Sequence, residues 1–366
     1  ILAMVGSRDY FDDSIDGQVN VALRARQPGS SMKPIVYASL FEKGYTPDTI
    51  LYDVVTNFST NPADPYEPKN YNGKENGPIS IRKSLAGSLN IPAVKAIYLS
   101  GINNVLDLAD NLGYTTLSDR SRFGLSLVLG GGEVKLLEHV NAYSAFARDG
   151  QMSPVVGILK VEDKDGNIIE EYQPSSKKVL DSQVARMINS VLSDNDARAF
   201  TFGTNNPLTL PGRPVAAKTG TTNDYRDGWT IGYTPSLVTG VWVGNNNNKE
   251  MKAAGGSIGA APIWQEFMKR VLGDTPVESF KAPDDYRTGK AILDGQIPEE
   301  TVRVDISTGQ PASENTPPEL LGEITRPSYH SILYYVNPSD PRGDAPTNPA
   351  DDPQYNLWEV AVQRWA

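Results

Sequence analysis

Three short runs pair hydroxyls with amines at spacings that suit acyl transfer: Ser30-Ser31-Met32-Lys33, Ser88-Leu89-Asn90 and Lys218-Thr219-Gly220-Thr221. A serine and a lysine three positions apart share one helix face, so the amine can reach the hydroxyl and act as its base. A lysine that does this near pH 7 must fall about 3 pH units from its ordinary value, a cost of about 4 kcal/mol. A helix N-terminus supplies only about 0.3–2 kcal/mol, so burial and a second cation must supply the rest. Lys218 is the natural second cation if its segment lies against the Ser30 helix. Ser88 then bridges the two amines as a proton carrier, and Asn90 holds the amide of the substrate. Main-chain N–H groups of Ser30 and Thr221 would point at the developing oxyanion. Gly220 suits close backbone approach, and the Thr219 and Thr221 hydroxyls suit a substrate carboxylate.

Taken singly, the first two runs are common wording. Ser-x-x-Lys recurs at Ser80 to Lys83 and Ser175 to Lys178, and Ser193-Asp194-Asn195 competes with Ser88-Leu89-Asn90. What separates them is setting. Ser30 opens a helix-compatible run to Lys43, with Pro34 tolerated in a first turn that has no intrahelical donor to lose. Ser88 to Asn90 sits in the joint between a helix capped by Ser80 and one that starts after Asn90, with Pro92 early. Lys218 lies in a strand from Pro214 to Thr222, beside two alternating strands at Trp229 to Tyr233 and Leu237 to Val243. Ser193 to Asn195 reads instead as a turn at a helix C-terminus, and Ser30 alone would read as an N-cap. His139 reads as a core or surface residue of a helix from Glu133 to Arg148. Gly130-Gly131-Gly132 lacks the Gly-Lys-Ser/Thr of a phosphate cradle.

Other elements predicted are a short buried strand at Ile1 to Val5, a long surface loop over 45–78 with Tyr71 and Asn72 as candidate cleft residues, a hairpin around Asp165-Gly166, and helices at Ser182 to Leu192 and Pro262 to Leu272. With 366 residues, two domains are expected: 1–273, and an extension over 274–366. That extension holds 12 of 27 Pro and 16 Asp+Glu against 7 Lys+Arg, so it carries nearly all of the net charge of -10. It reads as irregular, Pro-rich and acidic, with one strand-like stretch at Val302 to Ile306. The charge argues against a nucleic-acid partner. Zero Cys and two His exclude thiolate chemistry and any Cys- or His-rich metal site. No apolar run reaches membrane-spanning length. The chain opens without Met, which we read as a fragment or processed product.

The fuller wording Arg26-Gln27-Pro28-Gly29-Ser30-Ser31-Met32-Lys33-Pro34, Ser88-Leu89-Asn90-Ile91-Pro92-Ala93-Val94 and Lys218-Thr219-Gly220-Thr221-Thr222 resembles the transpeptidase domain of bifunctional (class A) penicillin-binding proteins, relatives of the serine β-lactamases. The resemblance covers about residues 1 to 273, including Gly130 to Gly150. It implies a mixed α/β (α+β) fold, with an antiparallel sheet covered by helices and an adjoining all-helical subdomain. Ser30 would be the nucleophile acylated by the penultimate D-alanine of a donor stem peptide, and Lys33 its base. Ser88 and Asn90 match the second element; Lys218, Thr219, Gly220 and Thr221 match the third. No cofactor and no metal are implied. The partners implied are peptidoglycan stem peptides and β-lactams. The site would lie on the cell-wall side of the cytoplasmic membrane, with an anchor and a glycosyltransferase domain upstream. A D,D-carboxypeptidase or β-lactamase, and a β-lactam-sensing ectodomain, stay open as alternatives, because they share the acylation half of the chemistry.

Overall fold

The computed structural model describes residues 1–252 and 254–366. The chain divides into two compact units, one of residues 1–47 and 82–286 and the other of 48–81 and 287–366. The division differs from the expected boundary at 273, because residues 48–81 group with the C-terminal segment.

In the first unit a buried helix carries the first motif. A 3-10 turn, Gly29–Met32, runs into α1 (Lys33–Glu42), in which every residue from Lys33 to Phe41 is buried. A helix apolar on all sides belongs in the middle of a core rather than on its rim. It packs against α3 (Ile91–Ser100), itself buried over almost its whole length, and Ser39 Oγ lies 2.8 Å from Ser100 Oγ. Helix α2 (Ile81–Ala86) precedes the joint at Ser88, and α3 starts on Asn90 with proline in its first turn. Helix α4 (Ile102–Asn111) follows.

The sheet has three antiparallel strands, β1 (Ala216–Thr221), β2 (Asp227–Tyr233) and β3 (Val238–Gly244), in the order β3-β2-β1. All seven residues of β2 are buried, because helices cover both faces. A side chain at Gly240 would meet Val140 and Leu136 of α5 (Leu136–Ala147), and one at Gly232 would meet Trp264 of a helix C-terminal to the sheet. Between α5 and β1 lie α6 (Ser182–Leu192) and α7 (Asn195–Phe202), capped by Asp181 and Asp194. Helix α8 (Ala261–Leu272) supplies Trp264, Met268 and Leu272 to a core with Leu208, Leu210, Val215 and Ala217. The fold is mixed α/β, as expected. Ser193 and Asp194 link α6 to α7, and Asp194 pairs with Arg82 at 3.2 Å, which is a structural use of that literal Ser-Asp-Asn.

Three local expectations differ. Ile1 to Val5 are exposed and form no strand, since so short a segment has no partner ladder among the described residues. Helix α5 begins at Leu136, after a two-residue strand at Val134–Lys135. Residues 45–78 are not wholly loop: in the second unit Ile50–Asp53 pairs antiparallel with Gly77–Ser80. In the same unit Glu299–Asp305 pairs with Leu321–Pro327, and helices form at Ile332–Tyr335 and Tyr355–Trp365. The expected irregular extension therefore carries regular structure. Tyr52, Val54, Ala361 and Val362 close its core. Tyr71 is 86% exposed within that unit.

Candidate active site

Ser30 lies in the turn that leads into α1, half-buried, and its hydroxyl has no hydrogen-bond partner among the described residues. Lys33, one turn on, is 0% exposed. Its Nζ donates to Ser88 O at 2.7 Å, to Leu89 O at 2.8 Å and to Asn90 Oδ1 at 2.8 Å. Three acceptors match the three protons of an ammonium. The amine is thus directed at the joint between α2 and α3 rather than at the Ser30 hydroxyl.

Lys218 approaches the same joint from the sheet. Its Nζ donates to Ser88 Oγ at 2.7 Å and to Thr219 O at 2.9 Å. Burial, and then the Arg198 guanidinium, bring Lys218 down from its ordinary value to about 7. Arg198 is 2% exposed on α7 and donates to the carbonyls of Leu208 and Leu192. A cation that acts on Lys218 is therefore Arg198. Sequence reasoning missed Arg198, because an arginine on an ordinary helix carries no signal of being buried.

Ser88 receives both lysines, one on its carbonyl and one on its hydroxyl, and it does so at φ 62. A non-glycine residue in the left-handed region is costly and persists only where surroundings hold it. Here the two amines and the Ser88 N–H bond to Leu85 O at 3.1 Å do the holding.

Glycines set how closely the pieces meet. Gly29, at φ 55, has no room for a Cβ, which would strike the Thr221 carbonyl; a Cβ on Gly130 would strike the Gly29 backbone. A Cβ on Gly220 would strike Pro28 O. The Ser30 turn is thus clamped backbone to backbone between β1 and the Gly130 loop. Thr222 N–H donates to Asp227 O at 3.1 Å, so alternation along an antiparallel ladder turns the N–H groups of Thr219 and Thr221 to the outer edge of β1. Thr221 Oγ1 accepts from Gly256 N–H at 3.0 Å, which leaves its own proton to donate.

The structure therefore brings together Lys33, Ser88, Asn90 and Lys218 by direct hydrogen bonds, and places Gly220 and Thr221 against the turn that holds Ser30. His139 is buried, not a surface residue; burial pushes it down to about 3. Among the described residues no group of three or more His, Asp or Glu side chains could hold a metal ion, and no helix is long and apolar enough to cross a membrane.

Comparison with known proteins gives a consistent picture. A family model described as the penicillin binding protein transpeptidase domain matches residues 1–269. Penicillin-binding protein 1A of Aquifex aeolicus is 36% identical over 290 residues, 77% of this chain and 38% of that protein. Penicillin-binding protein 2D of Bacillus subtilis is 34% identical, over 77% of this chain and 41% of its own length. The chain spans about two fifths of the length of these relatives. Among solved structures, penicillin-binding protein 1A from Haemophilus influenzae is similar with a TM-score of 0.66 at 24% identity, covering 87% of this chain and 50% of that one. PonA1 from Mycobacterium tuberculosis in complex with penicillin V is similar with a TM-score of 0.62 at 25% identity, covering 73% and 74%.

Proposed function

This chain belongs to the penicillin-binding protein transpeptidase family, a family of serine acyl transferases, in its 1A-like branch, and from that premise we propose that it cross-links peptidoglycan stem peptides through an acyl-enzyme on Ser30. The observation that carries the reading is the meeting of Lys33 and Lys218 on Ser88, from helix and strand, one turn from Ser30.

In the first half-reaction the Ser30 Oγ bonds to the carbonyl carbon of the penultimate D-alanine, and the peptide bond to the terminal D-alanine breaks. The proton that Ser30 gives up ends on the leaving amine. Lys33 takes that proton only after it has shed one of its own. The route we propose runs through the Ser88 hydroxyl, which Lys218, held near 7, already bonds and which turns to Lys33, bonded to the carbonyl of the same residue, to take its proton and pass its own to Lys218. The Ser30 and Thr221 N–H groups receive the oxyanion. Asn90 faces the donor amide, and Thr219 and Thr221 take its terminal carboxylate. In the second half an amine of a neighbouring stem peptide attacks the ester, and Ser30 recovers its proton. A β-lactam follows the first half only: its ring amide opens, but the nitrogen stays tethered to the acyl group. The substrate places the work on the cell-wall side of the membrane.

Peptide mapping of the penicillin-treated chain tests the assignment. The adduct is expected on Ser30 and absent from Ser30→Ala; label elsewhere refutes it. Stem peptide supplied with an amine acceptor then tests the reaction. Dimeric product supports cross-linking, release of D-alanine without dimer makes the chain a carboxypeptidase, rapid turnover of penicillin makes it a β-lactamase, and a lasting adduct with no peptide product makes it a sensor.

A further inference from the structure

Three main-chain carbonyls around Ser30 are held by buried side chains. Trp229 Nε1 donates to Gln27 O at 2.8 Å, Ser31 Oγ to Pro28 O at 2.7 Å, and Tyr143 Oη to Ser31 O at 2.6 Å. His139 joins this set: Nε2 lies 3.0 Å from Ser31 Oγ, and Nδ1 lies 2.6 Å from Tyr114 Oη. Ser31, His139, Tyr143 and Trp229 are each 0% exposed, and the imidazole meets the Tyr143 and Trp229 rings edge-on.

Elimination fixes the directions. Ser31 spends its one proton on a carbonyl, so its oxygen accepts from His139 Nε2–H; Nδ1 is then bare and accepts from the Tyr114 O–H. Burial keeps the tyrosine a phenol, well above its ordinary value, and keeps the imidazole uncharged. The result is a buried chain of donors, Tyr114 to His139 to Ser31 to Pro28, that ends two residues before Ser30.

We propose that His139 is a positioning residue for the nucleophile. Acting through Ser31, it fixes the Gly29–Met32 turn so that the Ser30 hydroxyl faces the acyl carbon while its N–H faces the carbonyl oxygen. The proposal rests on the reading of Ser30 as nucleophile. Loss of the Nε2 donor leaves the buried Ser31 Oγ with an unpaired acceptor and frees it to abandon Pro28, and a misplacement of about 1 Å at a reacting atom costs about 100-fold in rate.

Stopped-flow acylation by a fluorescent penicillin, resolved into a non-covalent dissociation constant and an acylation rate constant, tests it, with the labelled residue mapped. His139→Leu is expected to lower the rate constant by about 10- to 100-fold while the dissociation constant holds within about 3-fold. His139→Gln, whose amide N–H can replace Nε2–H, is expected to restore most of the rate. Ser31→Ala is expected to reproduce the loss, and the Ser31→Ala/His139→Leu pair to be no slower than either alone. A His139→Leu chain acylated at the wild-type rate, a loss confined to the dissociation constant, or strictly additive losses would overturn the proposal. So would nitrogen-15 NMR of a His330→Gln chain, in which His139 is the one histidine left, if that ring were protonated on Nδ1 at pH 7 instead of Nε2; this readout leaves His139 and its partners unaltered. Wild-type label away from Ser30 overturns the nucleophile assignment and the proposal with it, whereas label on Ser30 with an unimpaired His139→Leu variant overturns the proposal alone.

Discussion

Ser88 is poor for the fold, yet the proposed mechanism needs it. Its left-handed backbone costs about 1–2 kcal/mol for an L-residue, and glycine there would relieve that cost at the expense of unfolded-state entropy. Ser88→Gly is therefore expected to leave the unfolding free energy within about 1 kcal/mol of wild type, measured in urea. Acylation by penicillin is expected to fall by at least about 100-fold, because the hydroxyl that Lys218 holds, the proposed proton carrier, is gone while the carbonyl that Lys33 bonds remains. A parallel fall in stability would show that the hydroxyl matters to folding instead. Lys218 gives the pH dependence. With its value near 7, about one tenth of the molecules hold the neutral amine at pH 6 and about nine tenths at pH 8, so the acylation rate climbs between those values. Arg198→Gln removes the second cause of the depression and is expected to move that rise to higher pH; an unmoved profile means burial alone sets it.

At the level of elements, the clamp around Ser30 is made by strand and turn backbones in contact. Gly220→Ala inserts a methyl against Pro28 O, so β1 must move away from the Ser30 turn. Overpacking of this kind costs about 1–3 kcal/mol. The expected outcome is a lower Tm together with a fall in acylation of at least about 10-fold, whereas a wild-type rate would show that the clamp does not position Ser30. The elements that carry the site were readable in sequence because their signals are local. Alternation marks β2 and β3, proline and the Ser-Asn joint mark the start of α3, and Lys218-Thr219-Gly220 lies on a strand beside them. Longer-range effects were not readable. Arg198 and His139 look like ordinary helix residues until tertiary packing buries them. The Ile50–Asp53 and Gly77–Ser80 strands pair across a span rich in Pro and Asn that hides them. Lys33 was expected to point at Ser30, but the carbonyls of the Ser88 joint provide three acceptors that one hydroxyl cannot match.

For the whole molecule, the second unit is discontinuous in sequence, drawing on residues 48–81 and 287–366. Tyr52 and Val54, from the inserted segment, pack against Ala361 and Val362 of the last helix, so removing the C-terminal segment uncovers apolar surface in a part of the chain that remains. A chain ending at Tyr286 is expected to bind a hydrophobic dye and to aggregate at concentrations where the full chain does not. Replacing 48–81 by a short Gly-Ser link in the same truncated chain is expected to reverse both. A truncated chain as soluble as the intact one would mean that the 48–81 segment covers itself.

If the proposed function holds, the glycine clamp also bears on how such a chain would change under antibiotic pressure. Positions 29, 130 and 220 leave no volume for any side chain, so a substitution there shifts the backbone around Ser30 and would disturb peptide and drug alike. Variants selected for survival should therefore keep these three glycines and alter the walls farther out, where the two molecules differ in shape.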